Sequence, residues 1–171
     1  MVLRNDAISL NLEGDKISFQ RAREIVKAVL DTGNPIELPA AGYSMFPTLR
    51  PGDKITVKLL INEEVPIPGS VLVYEDNSVF VMHRIVKMVN NDAGIKTFIT
   101  RGDSTPEPDK PWVQQQLIGI AVSLKRNKKE HPVKTFMPGG WHYLFNRTLL
   151  WFFTKGKRLT IVSGELLSSK P

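Results

Sequence analysis

One serine, one histidine and two aspartates stand in three separate blocks of this sequence. Ser44 lies in residues 42–48 (GYSMFPT), between a glycine and an apolar Met-Phe-Pro segment. His83 lies in a β-type run, and Asp103 and Asp109 follow in a proline-rich polar loop. A serine hydroxyl is a poor nucleophile at neutral pH, so hydrolysis requires an adjacent general base that takes its proton. These residue types therefore predict serine-hydrolase chemistry, with Ser44 as the nucleophile and His83 as the base.

Each of these residues also has an ordinary structural interpretation. A serine in a Gly-x-Ser turn commonly serves as a turn residue, and an aspartate in a proline-rich loop commonly forms an Asx turn. A histidine on a strand face is by default a core residue. The other two histidines, His131 and His142, lie in a basic segment and an aromatic segment, and we interpret both as non-catalytic. The histidines and carboxylates do not have the spacing of metal ligands, so the sequence predicts neither a metal nor another cofactor.

The elements that must position these side chains are mostly strands. Residues 18–32 have apolar residues at helical spacing, with Ser18 as the predicted N-cap and a Gly-Asn-Pro stop signal at 33–35. Short β-type runs separated by glycine and proline follow. The predicted strands are 36–38, 54–60, 70–74, 79–89, 95–100 and 117–124. This pattern predicts a mainly β fold, a twisted antiparallel sheet or partial barrel, preceded by a helix.

Composition limits the class of protein. The chain has 171 residues, 42% of them hydrophobic, and no cysteine, which excludes disulfides and thiolate metal sites. The net charge of +6 is uneven, because residues 125–171 hold ten Lys or Arg against two Glu. Such a basic region suggests an acidic partner, either lipid headgroups or nucleic acid, or else a solvated tail. The N-terminus lacks the apolar run of a signal peptide, and no stretch reaches the roughly 18–20 apolar residues that span a bilayer.

The C-terminal region divides into two predicted parts. Residues 125–135 (KRNKKEHPVKT) are predicted to be a basic linker. An aromatic-rich segment, WHYLFNRTLLWFFTKGKR, follows the Pro-Gly-Gly at 138–140 and ends in Lys155, Lys157 and Arg158. Aromatic residues on one helix with cations at its end are typical of an interfacial amphipathic helix. The alternative is a helix that packs its aromatic side chains on the domain itself.

Taken together, the blocks resemble the S24/S26 serine endopeptidases, the superfamily of signal peptidases and self-cleaving LexA-type repressors. The resemblance covers about residues 38–122. Its motifs in this sequence are Ser44-Met45-x-Pro47-Thr48 with Gly52-Asp53, then Gly69-Ser70-Val71, His83-Arg84-Ile85-Val86, Gly102-Asp103 and Asp109. Bacterial-type signal peptidases and LexA-like proteins have a lysine base where this chain has His83. The resemblance is therefore to the archaeal and endoplasmic-reticulum type of signal peptidase, which uses histidine.

The resemblance implies a role for each site residue. Ser44 would be the nucleophile and His83 the general base, with the backbone at Ser44 and Met45 forming the oxyanion site. An aspartate would orient the imidazole; Asp109 is preferred and Asp103 would support it, although the motif can be read either way. The substrate would be a peptide or protein with small side chains near the scissile bond, with no cofactor. Nucleic acid is a less favoured partner than peptide, and peripheral membrane contact through the C-terminal segment is a further expectation.

Two departures from the family accompany these matches. Signal peptidases usually carry Ser-Gly just before the nucleophile, where this chain has Gly42 and Tyr43. The N-terminal transmembrane anchor typical of signal peptidases is also missing from this sequence, which favours a soluble or peripheral protein. We divide the chain into an N-terminal helical extension (1–35), a peptidase-like catalytic domain (36–124) and a C-terminal region (125–171).

Two other functions fit the same fold. One is a non-catalytic or regulatory protein that binds a partner or nucleic acid through the basic C-terminal region. The other is self-cleavage of the LexA type, which needs a cleavable bond tens of residues before the serine. The only upstream Ala-Gly bond, Ala41-Gly42, is too close to Ser44 to reach it, so self-cleavage is disfavoured.

Overall fold

The computed structural model describes residues 8–9, 19–60, 65–90 and 95–168, with side chains for 19–60, 65–90 and 95–155. The predicted N-cap Ser18 lies outside these residues, as do the side chains of Lys157 and Arg158. The elements in chain order are β1 (Ile8–Ser9), α1 (Phe19–Asp31), β2 (Ile36–Pro39), β3 (Lys54–Lys58), β4 (Val71–Asp76), β5 (Val79–Asn90), β6 (Lys96–Arg101), β7 (Trp112–Val113), a 3-10 turn (Gln114–Gln116), β8 (Leu117–Arg126), β9 (Lys129–Pro132) and α2 (Gly140–Ser168).

The strands form one sheet in the order β1-β2-β3-β8-β4-β5-β6-β7, with β9 paired to β8. β1 and β2 are parallel, and the other pairs are antiparallel. In the described part of the chain, the two ends of this order do not pair, so the sheet is not closed. The prediction of a mainly β, antiparallel fold with an N-terminal and a C-terminal helix is confirmed at this level.

Helix α1 packs one face against the sheet. Ala22, Val26 and Leu30 recur every four residues and are buried, which is the spacing that places side chains on one face of a helix. The helix ends where Gly33 adopts a φ of 79° and donates its N–H to the Leu30 carbonyl over 2.9 Å. Glycine tolerates this left-handed conformation without steric cost. The predicted helix and its stop signal agree with this observed end.

Strand β4 is buried on both faces and separates two apolar clusters. Val71 and Val73 join the cluster that contains the α1 side chains. Leu72 and Tyr74 join a second cluster, in which the Tyr74 ring stacks on Trp112 with centroids 4.2 Å apart. Successive residues of a strand point to opposite faces, so a strand buried on both sides is apolar throughout. β4 therefore provides a rigid support for its neighbour β5, which carries His83.

Residues 125–135 differ from the prediction of a linker. β8 continues through Arg126, and Lys129–Pro132 returns beside it as β9. Asn127 and Lys128 form the turn, with φ values of 51° and 64°, the geometry of a two-residue hairpin whose twist matches that of its strands. The lysines that suggested a linker are exposed on this hairpin, where charged side chains suit an edge strand.

The aromatic C-terminal segment is helical, as predicted, and helix α2 extends over 29 residues to Ser168. Among the described residues, no helix combines the length and the apolar character needed to cross a membrane.

Candidate active site

Ser44 lies on the turn between β2 and β3, and its apolar neighbours fix this turn in the protein core. Met45 and Leu49 belong to the main buried cluster, and Phe46 is also buried. The turn is closed by backbone hydrogen bonds from Phe46 N–H to the Tyr43 carbonyl (2.9 Å) and from Leu49 N–H to the Met45 carbonyl (3.0 Å). The Met-Phe-Pro segment thus anchors the turn, while Ser44 itself remains half-buried beside a cleft.

His83 lies on β5 and meets Ser44 across 39 residues of sequence. Its Nε2 is 2.9 Å from Ser44 Oγ, and its Nδ1 is 2.6 Å from Asp109 Oδ2. A carboxylate can only accept a hydrogen bond, so His83 Nδ1 carries the proton and Nε2 is left to accept the Ser44 hydroxyl. Serine, histidine and aspartate therefore form one hydrogen-bonded chain, with the imidazole oriented to take a proton from the serine.

Three donors converge on Asp109. Besides His83, its Oδ2 accepts hydrogen bonds from the Thr100 hydroxyl over 2.6 Å and from the Tyr74 hydroxyl over 3.0 Å. The Asp109 N–H donates to the Thr100 carbonyl over 2.8 Å, which fixes the backbone of the loop against β6. Burial alone would raise the pKa of Asp109, but the hydrogen bond and charge of His83, with both hydroxyls, hold that pKa below its ordinary value. Asp109 therefore stays ionised at neutral pH.

Asp103, the alternative partner for His83, directs its carboxylate to Arg84. The two side chains are fully buried, and Arg84 donates to both carboxylate oxygens over 2.8 Å. Arg84 also donates to the carbonyls of Gly69 (2.6 Å) and Lys134 (2.9 Å). The Thr48 hydroxyl also donates to Asp103. Thr48 lies on the turn of residues 43–49 that carries Ser44, which we call the nucleophile turn after the predicted role of Ser44. Asp103 therefore links its own loop, which follows β6, to the nucleophile turn and to β5. The aspartate in contact with His83 is Asp109.

The loop after β6 approaches the nucleophile turn closely. Ser104 N–H donates to the Ser44 carbonyl over 2.9 Å, and the Ser104 hydroxyl donates to the Tyr43 carbonyl over 2.7 Å. At Gly102, an added Cβ would lie 2.6 Å from the Ser44 carbonyl oxygen and 3.1 Å from His83 Nε2. Only a glycine fits at this position without displacing one of the two. The close approach of the loop to Ser44 and His83 thus explains why the Gly102-Asp103 motif begins with glycine.

A cleft of about 360 Å³ opens beside Ser44. Its lining is mostly apolar and comes from the end of β2, the nucleophile turn and the start of β5: Pro39, Ala40, Ala41, Gly42, Ser44, Met45, Leu49, Phe80, Val81, Met82 and His83. Ser44 and Met45, whose backbone N–H groups are the predicted oxyanion donors, both border it, and that role stays a prediction.

Sequence reasoning did not identify Thr100 and Tyr74, the two hydroxyl partners of Asp109. A threonine in a strand that also contains Lys96, Thr97 and Arg101 is a weak signal, and it gains meaning only once the loop is seen to fold back on β6. Trp112 Nε1 donates to the Thr100 hydroxyl over 3.0 Å and so orients it toward the carboxylate. Of the other histidines, His131 is exposed on β9, and exposed His142 lies near Phe136 at the start of α2. Neither lines the cleft at Ser44.

No protein-family model matches this chain, and a search of the curated proteins finds no significant match. The resemblance to signal peptidases therefore stays a prediction that depends on the motifs and on the side-chain geometry around Ser44. In the part of the chain that the structure describes, no group of three or more His, Cys, Asp or Glu residues could hold a metal ion.

Proposed function

We propose that this protein is a serine endopeptidase of the signal peptidase type, which cleaves a peptide or protein substrate through an acyl-enzyme at Ser44. The observation that supports this proposal is the hydrogen-bonded chain from Ser44 Oγ through His83 to Asp109, with contacts of 2.9 and 2.6 Å. An ordinary turn serine needs no imidazole aligned on its hydroxyl, and an ordinary core histidine needs no ionised partner at its other nitrogen. The combination is the one that activates a serine.

The mechanism follows from the direction of these hydrogen bonds. Ser44 Oγ attacks the scissile carbonyl carbon while His83 Nε2 takes the hydroxyl proton, and Asp109 stabilises the imidazolium that forms. The backbone N–H groups at Ser44 and Met45 would stabilise the tetrahedral oxyanion. His83 then gives its proton to the leaving amine. Water hydrolyses the acyl-enzyme by the same exchange of protons in reverse, which regenerates Ser44.

The cleft supports a peptide in extended conformation as the substrate. β6 pairs with β5 only from Arg84 onward, so in the described residues the 79–83 stretch of β5 pairs with β4 alone. A substrate strand can add its backbone hydrogen bonds along such an edge. The apolar lining from Phe80, Met82 and Met45 suits a small apolar side chain near the scissile bond. This is the substrate class that the family resemblance implies.

The decisive experiment is covalent labelling by a fluorophosphonate, which reacts with activated serines. The full-length chain should gain one adduct in its intact mass, and peptide mapping should locate the adduct on Ser44. Ser44→Ala should gain none. Ser123→Ala is the matched control, because Ser123 hydrogen-bonds Glu130 on the exposed β8–β9 hairpin, and this variant should react like the parent.

A folded chain that gains no adduct at Ser44 would refute the proposal. It would leave the alternative of a non-catalytic protein that binds a partner through its basic C-terminal region.

A further inference from the structure

Helix α2 is attached to the domain by one face, next to the nucleophile turn. Asn146 is buried and its Nδ2 donates to the Asp103 carbonyl over 3.0 Å. The Arg101 guanidinium lies over the buried Tyr143 ring, 3.5 Å from its centroid. About two turns after Asn146, the Phe153 ring lies 5.2 Å from that of Phe46. These contacts fix the orientation of α2 and determine which of its side chains face away from the domain.

The opposite face of α2 is exposed and apolar. Its residues recur at intervals of three and four, which places them on one side of a helix. They are Trp141, Leu144, Phe145, Thr148, Trp151, Phe152 and Lys155, which we call the outer face. Trp141 alone is 84% exposed, and Leu144, Phe145, Trp151 and Phe152 each have half or more of their surface exposed. Soluble proteins rarely expose a contiguous apolar patch of this kind unless it binds something.

Within the part of α2 whose side chains the structure describes, both charged residues, Arg147 and Lys155, are cations. Between residues 131 and 155 the sequence has Lys134, Arg147 and Lys155 and not one Asp or Glu. Arg147 lines a shallow groove along the outer face, and Lys155 Nζ lies over the Trp151 ring, 4.3 Å from its centroid. Long cationic side chains beside aromatic rings place their stems in an apolar phase and their charges at its polar boundary.

We propose that the outer face of α2 docks on the surface of an anionic lipid bilayer, with the helix axis in the plane of the interface. Aromatic residues such as Trp141 enter the headgroup region, and Arg147 and Lys155 contact acidic headgroups. A second copy of the chain is a poorer occupant. A symmetric contact between two outer faces brings like charges together, and neither face supplies a carboxylate to pair with them.

Vesicle flotation tests this proposal with the full-length protein. We expect it to float with vesicles of phosphatidylcholine and phosphatidylserine but not with phosphatidylcholine alone, and added salt should weaken the binding. Arg147→Gln and Lys155→Gln should each weaken partitioning about fivefold, because the attraction of one Lys or Arg to an anionic surface corresponds to a change of about that size in the partition constant. Phe145→Gln should weaken it about tenfold through the lost burial of its ring.

Matched controls separate docking from folding and from catalysis. Ile67→Gln removes a similarly exposed apolar side chain that is not part of α2. Lys129→Gln removes an exposed cation on the β8–β9 hairpin. Both variants should float like the parent. Ser44→Ala should also float like the parent, so docking can be tested independently of the proposed peptidase activity. Trp141 and Trp151 fluorescence should shift to the blue on vesicle binding, while Trp112, already buried, should contribute no shift.

Three results would overturn the proposal. The first is equal flotation with neutral and acidic vesicles. The second is unchanged flotation of the Arg147→Gln, Lys155→Gln double variant. The third is a concentration-dependent dimer in sedimentation velocity, without lipid, that Phe145→Gln dissociates, because it would assign the outer face to a second copy of the chain.

Discussion

Replacing Asp109 with asparagine changes the charge of one side chain and nearly preserves its shape. The asparagine oxygen can still accept from the Thr100 and Tyr74 hydroxyls, which now contact Asp109 Oδ2 over 2.6 and 3.0 Å. His83 Nδ1 contacts this same oxygen over 2.6 Å, so in this orientation of the amide the imidazole keeps its tautomer but loses the negative charge that stabilises the imidazolium. In the flipped amide, the nitrogen faces His83 Nδ1 as a donor, the imidazole proton moves to Nε2, and Nε2 can no longer take the Ser44 hydroxyl proton.

The expected loss follows from the missing charge and, in the flipped amide, from the change of tautomer. Asparagine at the equivalent place of a serine-histidine-aspartate triad costs about 10⁴-fold in turnover, which corresponds to about 5.5 kcal/mol in the barrier. A loss of this size is expected because asparagine removes the charge of Asp109 in either orientation of its amide. The rate constant for acylation of Ser44 by a fluorophosphonate measures the loss directly.

Asp103→Asn is the matched comparison and should fail in a different way. It leaves the fully buried Arg84 guanidinium without its countercharge, and breaking such a pair costs about 3–5 kcal/mol of stability. We expect urea unfolding to show a large loss for Asp103→Asn and a much smaller one for Asp109→Asn. Acylation per folded molecule should show the reverse order. Acylation of Asp109→Asn within tenfold of the parent rate would refute the triad geometry. So would slower acylation, per folded molecule, in Asp103→Asn than in Asp109→Asn.

Three further predictions follow from the same site. Ser44→Ala and His83→Ala should each lower peptide cleavage by several orders of magnitude, and the double variant should be little worse than either, because the residues act as a unit; additive losses would contradict this. Gly102→Ala should slow Ser44 acylation about 100-fold or more, because the added Cβ would lie 2.6 Å from the Ser44 carbonyl oxygen and small displacements of reacting groups are costly. The control is Gly139→Ala, whose added Cβ meets no atom within 4 Å, and it should acylate like the parent. Folding lowers the pKa of Asp109, so the contribution of this carboxylate to stability is complete above about pH 4 and is lost as the pH falls through the folded-state pKa. Urea unfolding at decreasing pH should therefore show a smaller fall in the free energy of unfolding for Asp109→Asn than for the parent. An equal fall in both proteins would contradict the lowered pKa.

The elements that carry the site could be predicted from local patterns. The apolar spacing of α1 and the β-type apolar runs of β4 and β5 are properties of neighbouring residues, and the structure has these elements within a few residues of their predicted ends. The short strands β1, β7 and β9 were not predicted. Strands of two to four residues have too few side chains to show a period, and pairing with a distant strand defines them.

The choice between Asp103 and Asp109 shows where sequence reasoning stops. Both residues lie in one loop, and their types are identical. The choice depends on Arg84, which faces away from the cleft and draws Asp103 inward, and on the backbone bond from Asp109 to Thr100 that returns the loop to β6. Neither interaction has a local signature, because the pairing of β5 with β6 brings Arg84 to the loop that holds Asp103, and the return of this loop onto β6 brings Asp109 to Thr100.

The ion pair between Arg84 and Asp103 also bears on the order of events during folding. The hairpin of β4 and β5 cannot bury its guanidinium until the loop arrives with the carboxylate, and a half-assembled pair is unfavourable by several kcal/mol. Partly folded chains with one partner in place are therefore scarcely populated. Since Asp103 also accepts a hydrogen bond from Thr48 on the nucleophile turn, we expect Ser44 and His83 to come into register together with the burial of this ion pair. If Ser44 cleaves peptides, nascent chains carry no working nucleophile, and a newly made molecule is protected from its incompletely folded siblings.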